Sequence, residues 1–187
     1  MIKVNLQLFA DPDDILLGDG VFSFGSTTSS MTNIALTRGG GSFSVERGYR
    51  QIEADGDYGP VKSRIRITKS VAKLNMKILE LLHSNIDDYY PGLSSNYTSG
   101  STTASITGSE LTSNITSSDY KYVAWTGYSK AGRRVYIELQ NAINLENINW
   151  PLVDKDEVVA DCTFTAAYAA STRTKEPWKI IMTTTSS

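Results

Sequence analysis

Three features of this sequence have residue types that could support chemistry, and each lacks the partners that the chemistry needs. Asp55-Gly56-Asp57-Tyr58-Gly59 spaces two acids as a calcium loop does, but the further oxygen ligands and the distal glutamate of an EF-hand are absent. His83 is the single histidine, and no G-x-S-x-G nucleophile motif accompanies it. Cys162 is the single cysteine, which excludes an internal disulfide and a cysteine zinc cage. We therefore predict no enzyme, no metal site and no cofactor.

The remaining charged groups favour contacts with other protein groups. Adjacent acids such as Asp87-Asp88 lie in polar segments, where a solvated face is the favoured interpretation. One basic stripe could contact phosphate, but its favoured partners are acids such as Glu46 and Glu53 on a neighbouring strand or subunit. The stripe consists of Arg64, Arg66, Lys69, Lys73 and Lys77.

Length and composition predict one domain with a sizeable core. The chain has 187 residues, of which 40% are hydrophobic, and its net charge is -2. This balance gives no global basic excess for binding nucleic acid. No apolar run approaches the roughly 20 residues of a membrane helix, and the first residues lack the pattern of a secretory signal.

The elements that carry these groups are organised around Arg38–Leu81. Two long strand-like runs, Ser42–Ala54 and Lys62–Leu81, flank a polar turn at residues 55–63. The apolar positions of the second run are odd up to Val71 and even from Ala72, a change of face that a β-bulge can produce. We predict a boundary near Ser70 between a core half and a half that faces a neighbouring subunit.

The rest of the chain completes an antiparallel β-sandwich or barrel with one short flanking helix, in a single domain over residues 1–187. Residues 1–14 are predicted to be an arm, and a short helix is predicted to end at Pro91-Gly92. Residues 93–119 are rich in Ser and Thr and are predicted to form an exposed loop. Residues 38–41 are predicted to be flexible, and 158–168 give the clearest alternation of a strand.

Several short pieces of this sequence resemble, in their order and spacing, the major tail tube proteins of long-tailed bacteriophages of Gram-positive hosts. The resemblance covers most of the chain, and the Ser/Thr-rich segment departs from it. The pieces are Asn5–Ala10, Leu36–Gly40, Phe43–Arg47, Ile52–Gly56, Gly59–Lys62, Ala72–Leu74, Ile78–Leu81, Pro91-Gly92 and Glu176–Trp178.

The resemblance implies a tail-tube β-sandwich whose subunits form stacked hexameric rings, with joined sheets that make a β-barrel channel. It implies as partners further copies of the chain, a tape-measure protein, and tail terminator and distal tail proteins. Viral DNA would pass through the lumen without sequence-specific binding. The implied location is the virion tail, after assembly in the host cytoplasm.

Two sets of residues are predicted to serve such an assembly. The segment that would reach a neighbouring subunit or ring, and order on assembly, comprises Asp55, Gly56, Asp57, Tyr58, Gly59, Pro60, Val61 and Lys62. The candidates for a mildly acidic or hydroxyl lining of the lumen, which would repel DNA weakly, are Asp161, Thr163, Thr165, Glu46 and Glu138.

Two alternatives stay open. One is an immunoglobulin-like β-sandwich that decorates a virion and binds a cell surface, and it differs from a tube subunit in remaining unassembled at high concentration. The other is the inner tube subunit of a contractile or secretion-type system, which a neighbouring sheath gene would identify.

Overall fold

The chain folds mainly into antiparallel β-strands with one short α-helix, as predicted. A computed structural model describes residues 15–34, 36–81, 86–96, 98, 103–109 and 115–183. The predicted N-terminal arm at residues 1–14 and His83 lie outside these residues. The elements are β1 (Leu16–Gly25), β2 (Thr32–Asn33), β3 (Thr37–Gln51), β4 (Ile65–Ile78), α1 (Ile86–Tyr89), β5 (Leu93–Ser95), β6 (Ile106–Gly108), β7 (Lys121–Ser129), β8 (Arg134–Asn144), β9 (Ala160–Ala166) and β10 (Trp178–Met182).

The main sheet has the order β2-β1-β7-β8-β9-β4-β3, and β10 pairs with β8. β8 changes its neighbour along its length, because Val135–Leu139 pair with β10 whereas Ala142–Asn144 pair with β9. Asn141 stands between these two stretches with a φ of 50°, a left-handed conformation that asparagine tolerates better than most residues. In the described residues the sheet is open, and β3 and β10 each have one neighbouring strand.

One hydrophobic core joins the part of the sheet around β1, β7 and β8 to the part around β4 and β9. Alternate residues of β4 and β9 are buried, including Leu74 and Phe164, because a strand turns every second side chain to the same face. The Phe24 ring of β1 lies 5.9 Å from the Phe164 ring and 5.4 Å from the Tyr89 ring of α1. Each such side chain contributes on the order of 1.5–3 kcal/mol when fully buried.

The predicted short helix is present as α1, and it depends on the core. Four residues cannot form a stable helix in water, so burial of Ile86 and Tyr89 must hold it. Asn144 Nδ2 donates a hydrogen bond of 3.0 Å to the Tyr89 carbonyl. Cys162 is fully buried, and its thiol donates to the Tyr90 hydroxyl at 3.3 Å. Burial raises the pKa of Cys162 to about 11.

Two segments that were predicted to be flexible or to form an exposed loop contain strand structure. Residues 38–41 belong to β3, where the pairing shifts between Thr37 and Gly41. Gly41 lies so close to the Asn75 carbonyl and the Phe22 ring that a Cβ atom would not fit. The 93–119 segment is exposed over much of its described length, but β5 and β6 form a separate two-stranded sheet within it.

Candidate assembly surface

The outer halves of β3 and β4 extend beyond the core as a projecting hairpin, which we define as residues 48–69. Leu74, in the inner half of β4, is 2% exposed, whereas Ile65 and Ile67 are 53% and 55% exposed. Tyr49, opposite Ile67 on β3, is 64% exposed. Three large apolar side chains therefore lie in solvent on a regular, hydrogen-bonded ladder.

A β-bulge separates the two halves of β4, as the change of parity predicts. Gly48 pairs with Lys69 and Tyr49 pairs with Ile67, so Thr68 is one residue in excess on β4. Burial begins just inside this point, since residues 65–69 are exposed and Ser70 is half-buried. The predicted boundary near Ser70 is thus confirmed as a boundary of burial, and what faces the exposed half stays a prediction.

The loop at the tip of the hairpin is held by its own hydrogen bonds. Asp57 Oδ2 accepts from the Ala54 amide at 2.9 Å and from Arg64 Nη1 at 2.7 Å. Gly56 and Ser63 adopt left-handed φ values of 92° and 72°, which reverse the chain direction. These contacts form within one chain, and whether the loop orders further against a second chain stays a prediction.

Tyr58 lies at this tip with its side chain fully exposed. It is the one aromatic residue among residues 52–63, and it follows directly after the anchored Asp57. An aromatic side chain on a fixed loop can bury a large area at low entropic cost when a partner covers it.

The two faces of the projecting hairpin differ in chemistry. Tyr49 pairs with Ile67 and Gln51 pairs with Ile65 on one face. On the other face Arg50 pairs directly with Arg66. Like charges opposite one another destabilise a strand pair, so this face is unfavourable unless an acidic group approaches it.

Two of the three predicted lumen candidates of β9, Asp161 and Thr163, form a hydrogen-bond network with β4. Asn75 Nδ2 donates to Thr163 Oγ1 at 3.0 Å and also to Asp161 Oδ1. Asp161 is exposed, whereas Thr163 and Thr165 are half-buried. The network shows that these groups share one face of the sheet, and whether that face lines a lumen stays a prediction.

Glu46 faces Lys73 on the neighbouring strand, as predicted for the basic stripe. Their charged groups are 2.8 Å apart. The hydrogen bond from Lys73 and its positive charge lower the pKa of Glu46. The Glu46 carboxylate therefore stays ionised, and the positive charge of Lys73 balances its negative charge although it is exposed.

Glu138 is not a lumen-facing group of this subunit, which corrects that assignment. Its side chain is 1% exposed. Oε2 accepts from the Tyr136 hydroxyl at 2.9 Å, and Oε1 accepts from Gln140 Nε2 at 3.1 Å and lies 3.0 Å from Lys179 Nζ. Burial, with the adjacent carboxylate, raises the pKa of Tyr136 to about 12. Glu138 thus links β8 to β10.

A second exposed apolar surface is not among the surfaces predicted from the sequence. We define residues 145–157, between β8 and β9, as the apolar–acidic loop. It contains four acids and one lysine. Its large exposed apolar residues are Leu145 at 64%, Ile148 at 52%, Leu152 at 82% and Val153 at 61%. The sequence pattern that could have indicated this surface is a run of apolar residues mixed with acids and without the alternation of a strand.

A cleft of about 390 Å³ opens between β1 and β3. Leu16 and Leu17 form its outer wall, and Phe22, Phe43 and Trp125 lie deeper in it. It is a mainly apolar opening at the edge of the core, with no cluster of catalytic groups among its lining residues.

The described residues contain no group of three or more His, Cys, Asp or Glu side chains that could hold a metal ion. Within the same residues, no helix has the length and apolar character needed to cross a membrane. Comparison with protein-family models gives no match, and neither does comparison with curated proteins.

Proposed function

We propose that this chain is a structural subunit that polymerises as stacked rings into a bacteriophage tail tube. The observation that carries the proposal is the projecting hairpin, in which β4 continues past the core with Ile65 and Ile67 in solvent. A long exposed hairpin with apolar side chains is unfavourable for an isolated subunit and is stabilised when another copy covers it.

The open sheet supports the same proposal. β3 and β10 each have a free edge among the described residues, and free edges can pair with further strands. In the proposed assembly the β1–β7–β8 and β4–β9 parts of each subunit act as the layers of a β-sandwich. Sheets of neighbouring subunits then join into one closed wall. Six subunits in a ring, a tape-measure protein in the lumen and passage of DNA are parts of this proposal.

The outer face of β9 and β4 is the proposed lumen lining. Asp161 and Thr163 present oxygen atoms there, and Glu46 is paired with Lys73. Because Lys73 is paired with Glu46 and Lys77 lies opposite Asp161, part of the positive charge of this face is balanced, which would weaken the attachment of DNA. A reconstruction of the tube that places Asp161 on the outside would overturn this assignment.

The experiment is negative-stain electron microscopy of the purified full chain, with a variant that lacks Asp57–Pro60. The full chain is expected to form rings or tubes. The deletion variant is expected to fold, with an unchanged circular dichroism spectrum, and to remain a monomer. Normal tubes from the variant would show that the tip is not an assembly element.

A monomer that persists at high concentration would contradict the tube proposal itself. That outcome would favour the decoration module, in which exposed residues bind a cell surface instead of another copy.

A further inference from the structure

We propose that the projecting hairpin of one copy docks on the apolar–acidic loop of the next copy along the tube, so that this contact stacks successive rings. The inference rests on the proposed function and deepens it, because it names the two surfaces that meet.

Both surfaces expose large apolar side chains that the subunit itself leaves uncovered. On the hairpin, Tyr49, Ile65 and Ile67 share one face. On the loop, Leu152 is the most exposed aliphatic side chain among the described residues, at 82%, and Val153 beside it is 61% exposed. Exposed apolar patches of this kind mark interaction surfaces in folded proteins.

The charges of the two surfaces are complementary. The strands of the hairpin carry four basic residues and no acid in the stretches 48–51 and 64–69, whereas the loop carries four acids and one lysine. Arg64 is paired with Asp57, but no carboxylate among the described residues lies within ion-pair distance of Arg50 or Arg66. An acidic partner would relieve the repulsion between these two guanidinium groups.

Two of the four acids in the apolar–acidic loop are available for ion pairs with another copy. Asp156 and Glu157 contact Arg38, and this contact lowers the pKa of Asp156. Glu146 and Asp154 have no ion-pair partner among the described residues, and both are exposed. Two unpaired acids on the loop therefore match two unpaired arginines on the hairpin.

The positions of the two surfaces exclude a contact within one copy. The hairpin begins beyond Ser70, at one end of β4, and Ile78 lies at the other end. Arg38 adjoins Thr37, which pairs with Ile78, so its bonds to Asp156 and Glu157 place the acidic part of the loop at that far end. The fourteen residues of β4 span about 43 Å.

Two different patches at opposite ends of a subunit make a head-to-tail contact. Such a heterologous contact repeats without closing when copies are related mainly by translation, which gives an open stack. The contact therefore suits the axial direction of a tube.

The experiment reverses charge on each surface and then on both. The hairpin variant is Arg50→Glu with Arg66→Glu, the loop variant is Glu146→Lys with Asp154→Lys, and the third variant combines all four substitutions. Lys175→Glu, on an exposed turn, is the matched control. All four positions are exposed, so circular dichroism and melting temperature are expected to match the wild type.

The readouts are the critical concentration for tube formation, measured by sedimentation, and electron micrographs. Each two-site variant is expected to raise that concentration about tenfold or more and to leave unstacked rings. The four-site variant is expected to recover most of the loss, because the reversed charges again attract. The control is expected to assemble as the wild type does.

A cysteine pair tests proximity directly. Ile65→Cys and Leu152→Cys in one chain are expected to give an intermolecular disulfide ladder on a non-reducing gel, and each single variant is not. The native Cys162 is present in every variant and is fully buried, so it is not expected to form an intermolecular disulfide.

The outcomes separate the docking contact from the tube itself. If the wild type forms tubes, the docking contact is overturned by any of three results: normal assembly of either two-site variant, no rescue by the four-site variant, or no disulfide ladder. The proposed function would still stand in each case. Loss of rings as well as stacks in the variants overturns the axial assignment. A wild-type chain that forms neither rings nor tubes overturns the proposed function.

Discussion

The inner and outer halves of β4 belong to one continuous strand and have opposite surroundings. Val71–Ile78 alternates between half-buried and buried side chains, with Met76 and Ile78 fully buried. Residues 65–69 keep the same ladder with β3 but are exposed. The comparison shows that backbone pairing alone can extend a strand, whereas burial depends on what packs against its faces.

The bulge at Thr68 lies where these halves meet. It offsets the change of parity by one residue, so Ile67, opposite Tyr49, stays on the same face as Leu74, opposite Phe43, and the predicted change of face does not occur. Beyond it the hairpin has one apolar face and one basic face. A single excess residue thus separates the part of the strand that folds the subunit from the part that we propose joins subunits.

The largest expected effect is on the free energy of unfolding, when a large aliphatic side chain is replaced by alanine in each half of β4. Leu74→Ala is expected to lower the free energy of unfolding by about 2–5 kcal/mol, because it leaves a cavity in the core. Ile67→Ala is expected to lower it by less than about 1 kcal/mol, since the side chain is 55% exposed and lies opposite Tyr49, which is also exposed. Urea denaturation followed by circular dichroism measures both values.

Equal losses from the two substitutions would contradict the division of β4 into a core half and an exposed half. Assembly is expected to show the reverse order, with tube formation weakened by Ile67→Ala in a chain that remains folded.

The same contrast between buried and exposed positions is expected for carboxylates. Glu138→Ala is expected to cost about 1–3 kcal/mol, because Tyr136 and Gln140 lose a buried acceptor. Hydrogen exchange of the backbone amides in Trp178–Met182 is expected to become faster, since the Lys179 side chain loses its ion pair with β8. The control Glu46→Ala removes an exposed carboxylate and is expected to leave unfolding unchanged within error.

Unchanged stability of Glu138→Ala, measured by the same denaturation, would mean that the buried carboxylate does not hold β10 in place.

Deletion of Thr68 tests the boundary directly. Removing the excess residue is expected to restore one-to-one pairing with Ile67 still opposite Tyr49, and to remove the bend and added twist of the bulge, so that the hairpin projects in a different direction. Stability is expected to change by about 1 kcal/mol or less, because the altered part is exposed. Electron microscopy is expected to show that tube formation is lost.

Thr68→Ala is the matched control, since it keeps the bulge residue and is expected to assemble normally. Normal tubes from the deletion variant would mean that the orientation of the outer half does not matter.

The smallest expected effect is the pH dependence of the Glu46–Lys73 pair. Lys73 lowers the pKa of Glu46 below its ordinary value of 4.5. A lowered pKa in the folded state stabilises the fold above that ordinary value, and the contribution is lost as the pH falls through the folded pKa. The wild type is expected to melt slightly higher than Glu46→Gln at neutral pH, with the difference vanishing in acid.

Melting curves at low salt measure this difference best, because salt screens an exposed pair. A difference that grows as the pH falls would have the wrong sign for this ion pair.

Much of the local structure could be predicted from the sequence. The alternation of β4 and β9, the phase change near Ser70 and the turn between β3 and β4 depend on neighbours a few residues apart. The short helix was predicted from its polar start and from the Pro91-Gly92 stop. Residues 38–41 were predicted to be flexible, and they lie within β3, where Gly41 pairs with Met76 while Gly39 and Gly40 adopt left-handed φ values of 87° and 72°.

The candidate surface was predicted less completely. The tip residues 55–62 lie where the sequence places them, but the hydrogen bonds of Asp57 that fix the loop involve Arg64, whose direction the sequence does not reveal. Glu138 was predicted to face the lumen, but it is buried. Parity separates the two faces of a strand, but it does not tell whether other side chains close over the second face.

The sequence by itself determined the alternation of β4 and β9, the position at which the long strand changes phase, and the fact that Cys162 has no second cysteine in this sequence to pair with. These properties are local or compositional. The tertiary structure alone decided that β8 changes its partner at Asn141, that Glu138 is buried, and that the apolar–acidic loop lies at the opposite end of β4 from the hairpin. The reason is that Arg38 and Asp156, 118 residues apart, meet only through pairings of distant strands.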